Sequence, residues 1–246
     1  MNPAERERPP GVRERRFDTA DALVTALAAD IEQLLTLALR DRGSASLVVS
    51  GGSTPVPLFR RLRAAPLDWS RVFVTLADER WVAVADAASN EALVRRELLQ
   101  GAAAAAQFVA LKNDAPSAQL GAADTWARLG AIPRPFDVVV LGMGEDGHTA
   151  SLFPGSPGIA QALDASSPPG CVAMSAPVSP NSRLSLNAAA LSQTRRAILH
   201  IGGERKWEVY RAAARHAARK SGPQSGGPPI ATMLRLVPGL QVYWSP

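Results

Sequence analysis

The feature that most narrows the fold is a repeated local pattern. A short apolar run rich in β-branched residues stops at glycine or charged residues, and helical spacing follows soon after. Leu47-Val48-Val49 runs into Ser50-Gly51-Gly52-Ser53-Thr54-Pro55 and then into a helical pattern around Leu58, Phe59 and Leu62. Val72 to Leu76 runs into Ala77-Asp78-Glu79-Arg80-Trp81-Val82, after which Ser89-Asn90-Glu91 opens a helix carrying Leu93, Val94, Leu98 and Leu99. Asp137 to Leu141 feeds Gly142-Met143-Gly144-Glu145-Asp146-Gly147-His148. Strands alternating with helices imply an α/β fold, with a mainly parallel twisted sheet and helices on both faces. Loops leaving the carboxyl ends of such strands gather at one edge, and ligands bind there.

The remaining segments fit this scheme. From Asp18 or Thr19, either a suitable N-cap, the positions Leu23, Leu27, Ile31, Leu34, Leu35 and Ala38 recur at helical spacing until Arg40, and Gly43 ends the run. Phe108 to Leu111 is a weaker strand, and Ala118 to Leu129 a helix. The stretch from Ser156 to Pro169 reads as loop with a short helix near Ile159 to Leu163. Val172 to Met174, Ala197 to Ile201 and Leu240 to Tyr243 are further strands, and Glu204 to Arg219 is a helix. Residues 1–16 are charged, bear proline and offer almost nothing to bury, so the expectation is a flexible tail. The expected organisation is a single domain over 17–246, with a mobile loop at about 219–229 where glycine and proline cluster.

With 246 residues, 46% of them hydrophobic, the chain can bury one substantial core. No uninterrupted apolar run of about 18 residues and no N-terminal hydrophobic segment stand out, so a cytoplasmic protein without membrane contact is expected. The lone Cys171 excludes an internal disulfide and reads as a buried structural thiol. A net charge of +5 suits an anionic partner. The arginines are scattered, whereas a nucleic-acid surface favours a basic stripe interleaved with aromatics, so no nucleic-acid partner is expected.

Four stretches can carry chemistry. Ser50 to Pro55 is either an ordinary tight turn or an anion loop, in which glycines let backbone N–H groups approach a phosphate while Ser53 and Thr54 add hydroxyl donors. Asp78-Glu79-Arg80 is a solvated charged turn or a second set of site residues on the same edge. Gly142 to Gly147 matches G-x-G-x-x-G formally. Pro154, Gly155, Pro157 and Gly158 leave no room for the long helix of a dinucleotide-binding unit, and Asp164 ends no second strand. His148 is more informative: an imidazole titrates near neutral pH, and Asp146 two residues before it can fix its tautomer. His200, closing a strand, and His216, among arginines on a helix, look blander. No G-x-S-x-G elbow is present, which points to an activated water rather than a serine nucleophile. No ligand spacing supports a metal, and no cofactor is expected. Arg183 and Lys206 read equally well as surface charges or as cations of the site.

As a set, SGGSTP at 50–55, DERWV at 78–82, SNE at 89–91, GMGEDGHTASLFPG at 142–155, RLSL at 183–186 and Lys206 resemble the 6-phosphogluconolactonase family. The resemblance implies a three-layer α/β/α fold of the kind shared by glucosamine-6-phosphate deaminase and ribose-5-phosphate isomerase. It also implies hydrolysis of 6-phospho-D-glucono-1,5-lactone without a cofactor. Gly51, Gly52, Ser53 and Thr54 would line the phosphate loop, with Arg183 and Lys206 as its clamp. His148 would be the base, oriented by Asp146, with Asp78 and Arg80 beside the lactone ring. The related deaminases carry an asparagine-glutamate pair after the histidine, whereas Ser151-Leu152-Phe153-Pro154 stands here without a carboxylate. The expected partner is a small sugar-phosphate lactone acted on by a monomer.

Overall fold

The computed structural model describes residues 9–177, 181–219, 227–237 and 239–246. Two strands at its centre, β2 (Ala45–Val49) and β6 (Phe136–Leu141), have every residue buried, which requires layers on both faces of the sheet. β2 pairs in parallel with β6 on one side and with β3 (Val72–Leu76) on the other. Beyond β3 lies β5 (Gln107–Val109), and beyond β6 come β9 (Thr194–Gly202), β10 (Gln241–Ser245) and β1 (Arg13–Arg16), all in parallel register. The chain leaves β2 toward β3 and leaves β6 toward β9. Their carboxyl ends therefore flank the point where the winding reverses, the place where open α/β sheets form a crevice.

A three-stranded antiparallel sheet stands apart, in the order β4 (Asp78–Arg80), β8 (Ser182–Leu186) and β7 (Cys171–Ser175). Its pairing sets Asp78 opposite Ser185 and Arg80 opposite Arg183. The Asp-Glu-Arg segment is thus a strand rather than a solvated turn, with Asp78 and Glu79 buried. Residues too short and charged to look like strands gain that conformation from pairing far along the chain.

The longest helix, α1 (Ala20–Arg42), begins where Thr19 accepts from the Ala22 amide and ends at Gly43, whose left-handed φ of 79° lets its N–H reach the Leu39 carbonyl. It is long and apolar enough to cross a membrane by length and composition alone. Here Leu23, Leu27, Ile31, Leu35 and Ala38 are buried in the core, and α1 packs against β2, β6 and β10. The other helices are α2 (Val56–Leu62), α3 (Asn90–Glu97), α4 (Ala118–Arg128), α5 (Ile159–Ala162), α6 (Ala188–Ser192), α7 (Glu204–Arg219) and α8 (Pro229–Leu236). Nearly all the buried apolar residues join in one cluster. Cys171 is free, and burial pushes its thiol up to about 12, so it stays protonated.

Two sequence expectations need correction. Residues 13–16 are an edge strand and Val12 is buried, so the fold starts before residue 17. The arginines there cover aromatic faces instead of fraying. The Arg15 guanidinium lies 4.9 Å from the Tyr243 ring centroid and hydrogen-bonds both Asp30 and the Tyr243 hydroxyl, and Arg16 lies 4.5 Å from that of Trp207. Second, the loop expected at about 219–229 meets helices at both ends: Arg219 closes α7, and Pro229 opens α8, a helix with six buried residues to which the sequence assigned no element. Residues 220–226 of that loop lie outside those described. Truncation to begin at Phe17 should lower Tm by about 5 to 10 °C in thermal unfolding, since several hydrogen bonds worth ~1 kcal/mol each are lost. An unchanged Tm would reduce β1 to an ornament of the edge.

Candidate active site

The loops after β2 and β6 are tied together at the winding reversal by one buried serine. The Ser50 amide donates to the Val140 carbonyl at 3.1 Å, its hydroxyl donates to the same oxygen at 3.2 Å, and the Gly142 amide donates to that hydroxyl at 3.4 Å. This pins Gly51 to Pro55 against Gly142 to Gly144 around a cavity of about 260 Å³, enough for one small metabolite. Gly51 has to be glycine. A Cβ there would fall 1.9 Å from Asn90 Oδ1 and 2.3 Å from its Cγ, so the backbone of this loop approaches Asn90 directly.

The histidine loop is built the same way. The Asp146 carboxylate accepts from the His148 amide at 3.0 Å and meets His148 Nδ1 at 2.6 Å. The Gly144 amide donates to the His148 carbonyl at 3.0 Å. A Cβ on Gly144 would lie 2.2 Å from His148 Nδ1 and Cε1 and 2.7 Å from Asp146 Oδ1. The middle glycine of the dinucleotide-like spacing is therefore there to let the imidazole fold back over the backbone. No helix starts after it; the chain turns at Thr149 to Leu152, with Ala150 at φ 49°. Phe153 packs its ring 4.4 Å from the imidazole and 5.3 Å from the Arg183 guanidinium, joining the two groups through one aromatic face. Burial draws the Asp146 carboxyl upward, but the His148 amide, charge and ring nitrogen outweigh it and hold the acid below its ordinary value. Asp146 is thus set to carry negative charge against the ring.

From the far end of the chain, the Ile230 amide donates to the Gly147 carbonyl at 3.0 Å, and Pro228 fills the space a Cβ on Gly147 would need. The histidine loop is thereby fastened to the start of α8.

Cations line the opposite wall. Arg80 and Arg183 face one another across the β4–β8 ladder, an arrangement of like charges that is unfavourable without an anion between or beside them. Burial first, then Arg80, lowers the Arg183 pKa, while Asp78 and Glu79 partly restore it. Arg183 stands 4.0 Å from Asp78, whose other contact is a 2.5 Å hydrogen bond from the Ser151 hydroxyl. Glu79 turns away and accepts from the Asn90 and Glu91 amides at 2.7 Å each, which anchors the start of α3 and holds Asn90 in place. Burial pushes the Glu79 carboxyl up, and those amides with the Arg80 amide work against it. Lys206 enters from the first turn of α7.

Gly51, Gly52, Ser53, Thr54, Asp78, Arg80, His148, Arg183 and Lys206 thus line one cavity, and Asp146 reaches it through His148. Asn90 and His200 line it too, and Phe153 braces it. Six buried side-chain polar atoms among the described residues lack a partner, and four of them, Arg80 Nε, Asn90 Oδ1, Arg183 Nε and His200 Nδ1, belong to lining residues. These atoms are themselves enclosed, yet their residues crowd more polar groups around one cavity than the protein alone pairs, as a site for a polar ligand does. Burial and the Lys206 charge push the His200 imidazole down to about 4, so it is neutral at physiological pH. Among the described residues no three His, Cys, Asp or Glu side chains converge as a metal set.

A sheet-edge cavity with a glycine loop, clustered cations and an acid-held histidine defines an α/β protein whose site is suited to a small anion. The family model described as glucosamine-6-phosphate isomerases/6-phosphogluconolactonase matches residues 18–235. A 6-phosphogluconolactonase of Rhizobium meliloti is 43% identical over 94% of this chain and 97% of its own length. The crystal structure of a 6-phosphogluconolactonase from Shewanella baltica superposes with a TM-score of 0.87 at 44% identity, over 96% of this chain and 98% of that one. A monomeric glucosamine-6-phosphate deaminase shares the fold, with a TM-score of 0.75 at 16% identity over 95% of this chain and 97% of that one. The chain belongs to the glucosamine-6-phosphate isomerase/6-phosphogluconolactonase family.

Gly144→Ala should break the Asp146–His148 contact, seen as loss of the downfield Nδ1 proton signal in NMR or as a displaced ring in a crystal structure. The Tm should fall by about 2 to 12 °C, because overpacking by one methyl group typically costs ~1 to 3 kcal/mol.

Proposed function

We propose that this protein hydrolyses 6-phospho-D-glucono-1,5-lactone to 6-phospho-D-gluconate, the lactonase step of the oxidative pentose phosphate pathway. The observation that carries the reading is the Asp146-held His148 in the same small cavity as Arg80, Arg183 and Lys206. The 6-phosphogluconolactonases it matches over nearly their whole length support the same activity. The deaminase alternative lacks its acid: after His148 the chain has Leu152 and Phe153, both buried, and Phe153 supports the imidazole.

In this mechanism the substrate phosphate settles on Gly51 to Thr54, with Arg183 and Lys206 neutralising it. Its binding energy is used to orient the lactone carbonyl near the histidine. With Nδ1 engaged by Asp146, the other imidazole nitrogen takes a proton from water, and the hydroxide adds to C1. The carbonyl π electrons move onto oxygen, where Arg80 or a backbone N–H of the glycine loop stabilises the charge. As that oxyanion re-forms the carbonyl, the bond from C1 to the ring oxygen breaks, and the imidazolium returns its proton to the departing oxygen. Asp78, fixed by Ser151 and beside Arg183, orients a sugar hydroxyl. No cofactor takes part in this scheme. The proposed enzyme acts as a monomer, and a sugar-phosphate substrate suits a cytoplasmic one.

The decisive assay is release of phosphogluconate from freshly generated lactone, above the spontaneous rate and with chelator present. Hydrolysis no faster than the uncatalysed rate would remove the proposal. His148→Ala should lower kcat by about 10² to 10⁴ fold with modest change in KM. Lys206→Ala and Arg183→Ala should raise KM for the phosphorylated lactone by about 10 to 100 fold, the loss expected for a hydrogen bond to a charged group. Unaltered kinetics in both would dissolve the clamp.

A further inference from the structure

His200 is the one cavity residue with no assigned task whose ring is both buried and titratable. It stands in β9 immediately after Leu199, which pairs with Leu141, so Gly142 is its neighbour on the adjoining chain. Gly142 carries no side chain to cover it. The imidazole therefore borders the cavity while only 6% of the residue is exposed. A histidine that served packing alone would be expected to bury its ring nitrogens against backbone carbonyls, yet Nδ1 has no partner. Leaving it so is costly, and because this nitrogen is enclosed, a ligand atom supplies the missing bond only when the ring turns about Cβ–Cγ and brings Nδ1 to the cavity.

Its position indicates which part of the ligand that is. β9 ends at Gly202, and Lys206 follows in the first turn of α7, so both side chains come from one junction at the carboxyl edge. The ammonium acts on the imidazole strongly enough to help keep it neutral. Three cations already crowd the cavity, and a fourth would add repulsion. A neutral N–H gives a phosphate oxygen another donor without that penalty.

We propose that His200 is a specificity-determining residue, its neutral imidazole donating a hydrogen bond from Nδ1 to the phosphate end of the substrate beside Lys206. The identity of the substrate rests on the function proposed above; the contact itself is tested with inorganic phosphate and needs no turnover. His200→Leu keeps the bulk and removes the donor, and His200→Asn retains an N–H near the Nδ1 position. In H200L, the Ki of inorganic phosphate and the KM of the phosphorylated lactone should each rise about 10 to 100 fold. Discrimination over unphosphorylated gluconolactone should shrink by a similar factor, and H200N should recover most of it. A folded H200L with unchanged Ki and KM overturns the proposal.

The wild-type protein provides a second measurement that no misfolded variant can obscure. With three histidines in the chain, imidazole ¹⁵N signals are few, and His148→Gln and His216→Gln assign them. Titration with inorganic phosphate should shift the His200 nitrogens with the affinity seen for inhibition, and a His200 signal unmoved at saturation overturns the contact. A wild-type protein that binds phosphate through His200 and yet hydrolyses no lactone would defeat the proposed function and leave this inference standing.

Discussion

Everything at the functional edge depends on β2 and β6 being neighbours while the chain leaves them in opposite directions. Ser50 makes that adjacency specific, since one hydroxyl both donates to the β6 backbone and receives from Gly142. Without the bond the two glycine loops would be separate surface turns. With it, the loop suited to an anion and the loop bearing His148 share a wall, and the second sheet delivers its paired arginines to the space between them.

The design places charge where it cannot be satisfied internally. Arg80 and Arg183 oppose one another, Asn90 holds an empty acceptor toward the glycine loop, and His200 holds a bare nitrogen. The surrounding structure compensates elsewhere: Glu79 ties down α3, and Ser151 with Arg183 occupies Asp78. The rigid frame keeps the unsatisfied groups from collapsing onto each other. A ligand then meets donors and acceptors already in position, which lowers the ordering cost of binding.

How much of this was legible in the sequence varied with how local the cause was. β2, β3 and β6 declared themselves because each run is buried on both faces and stops at a turn within a few residues. The histidine loop and the anion loop were legible because glycines beside polar groups have few other uses. β1, β4 and β8 were not, since their charged residues become strands only through partners far along the chain, as Arg15 does with Tyr243. α8 was hidden behind two prolines that read as loop and in fact start a helix. His200 and Asn90 looked like an ordinary strand end and helix start; only the strand register beside Gly142 and the close approach of Gly51 bring them to the cavity. The formal dinucleotide spacing had a different cause altogether, the folding of His148 over Gly144.

The fastening of Gly147 to Ile230 has a consequence for how the protein comes into being. The turn that carries His148 is held by Ile230, which leaves the ribosome long after Gly147. A nascent chain that has already made β2, β6 and both glycine loops still lacks the clasp that sets its histidine. The turn around His148 is therefore complete only once α8 has packed against it.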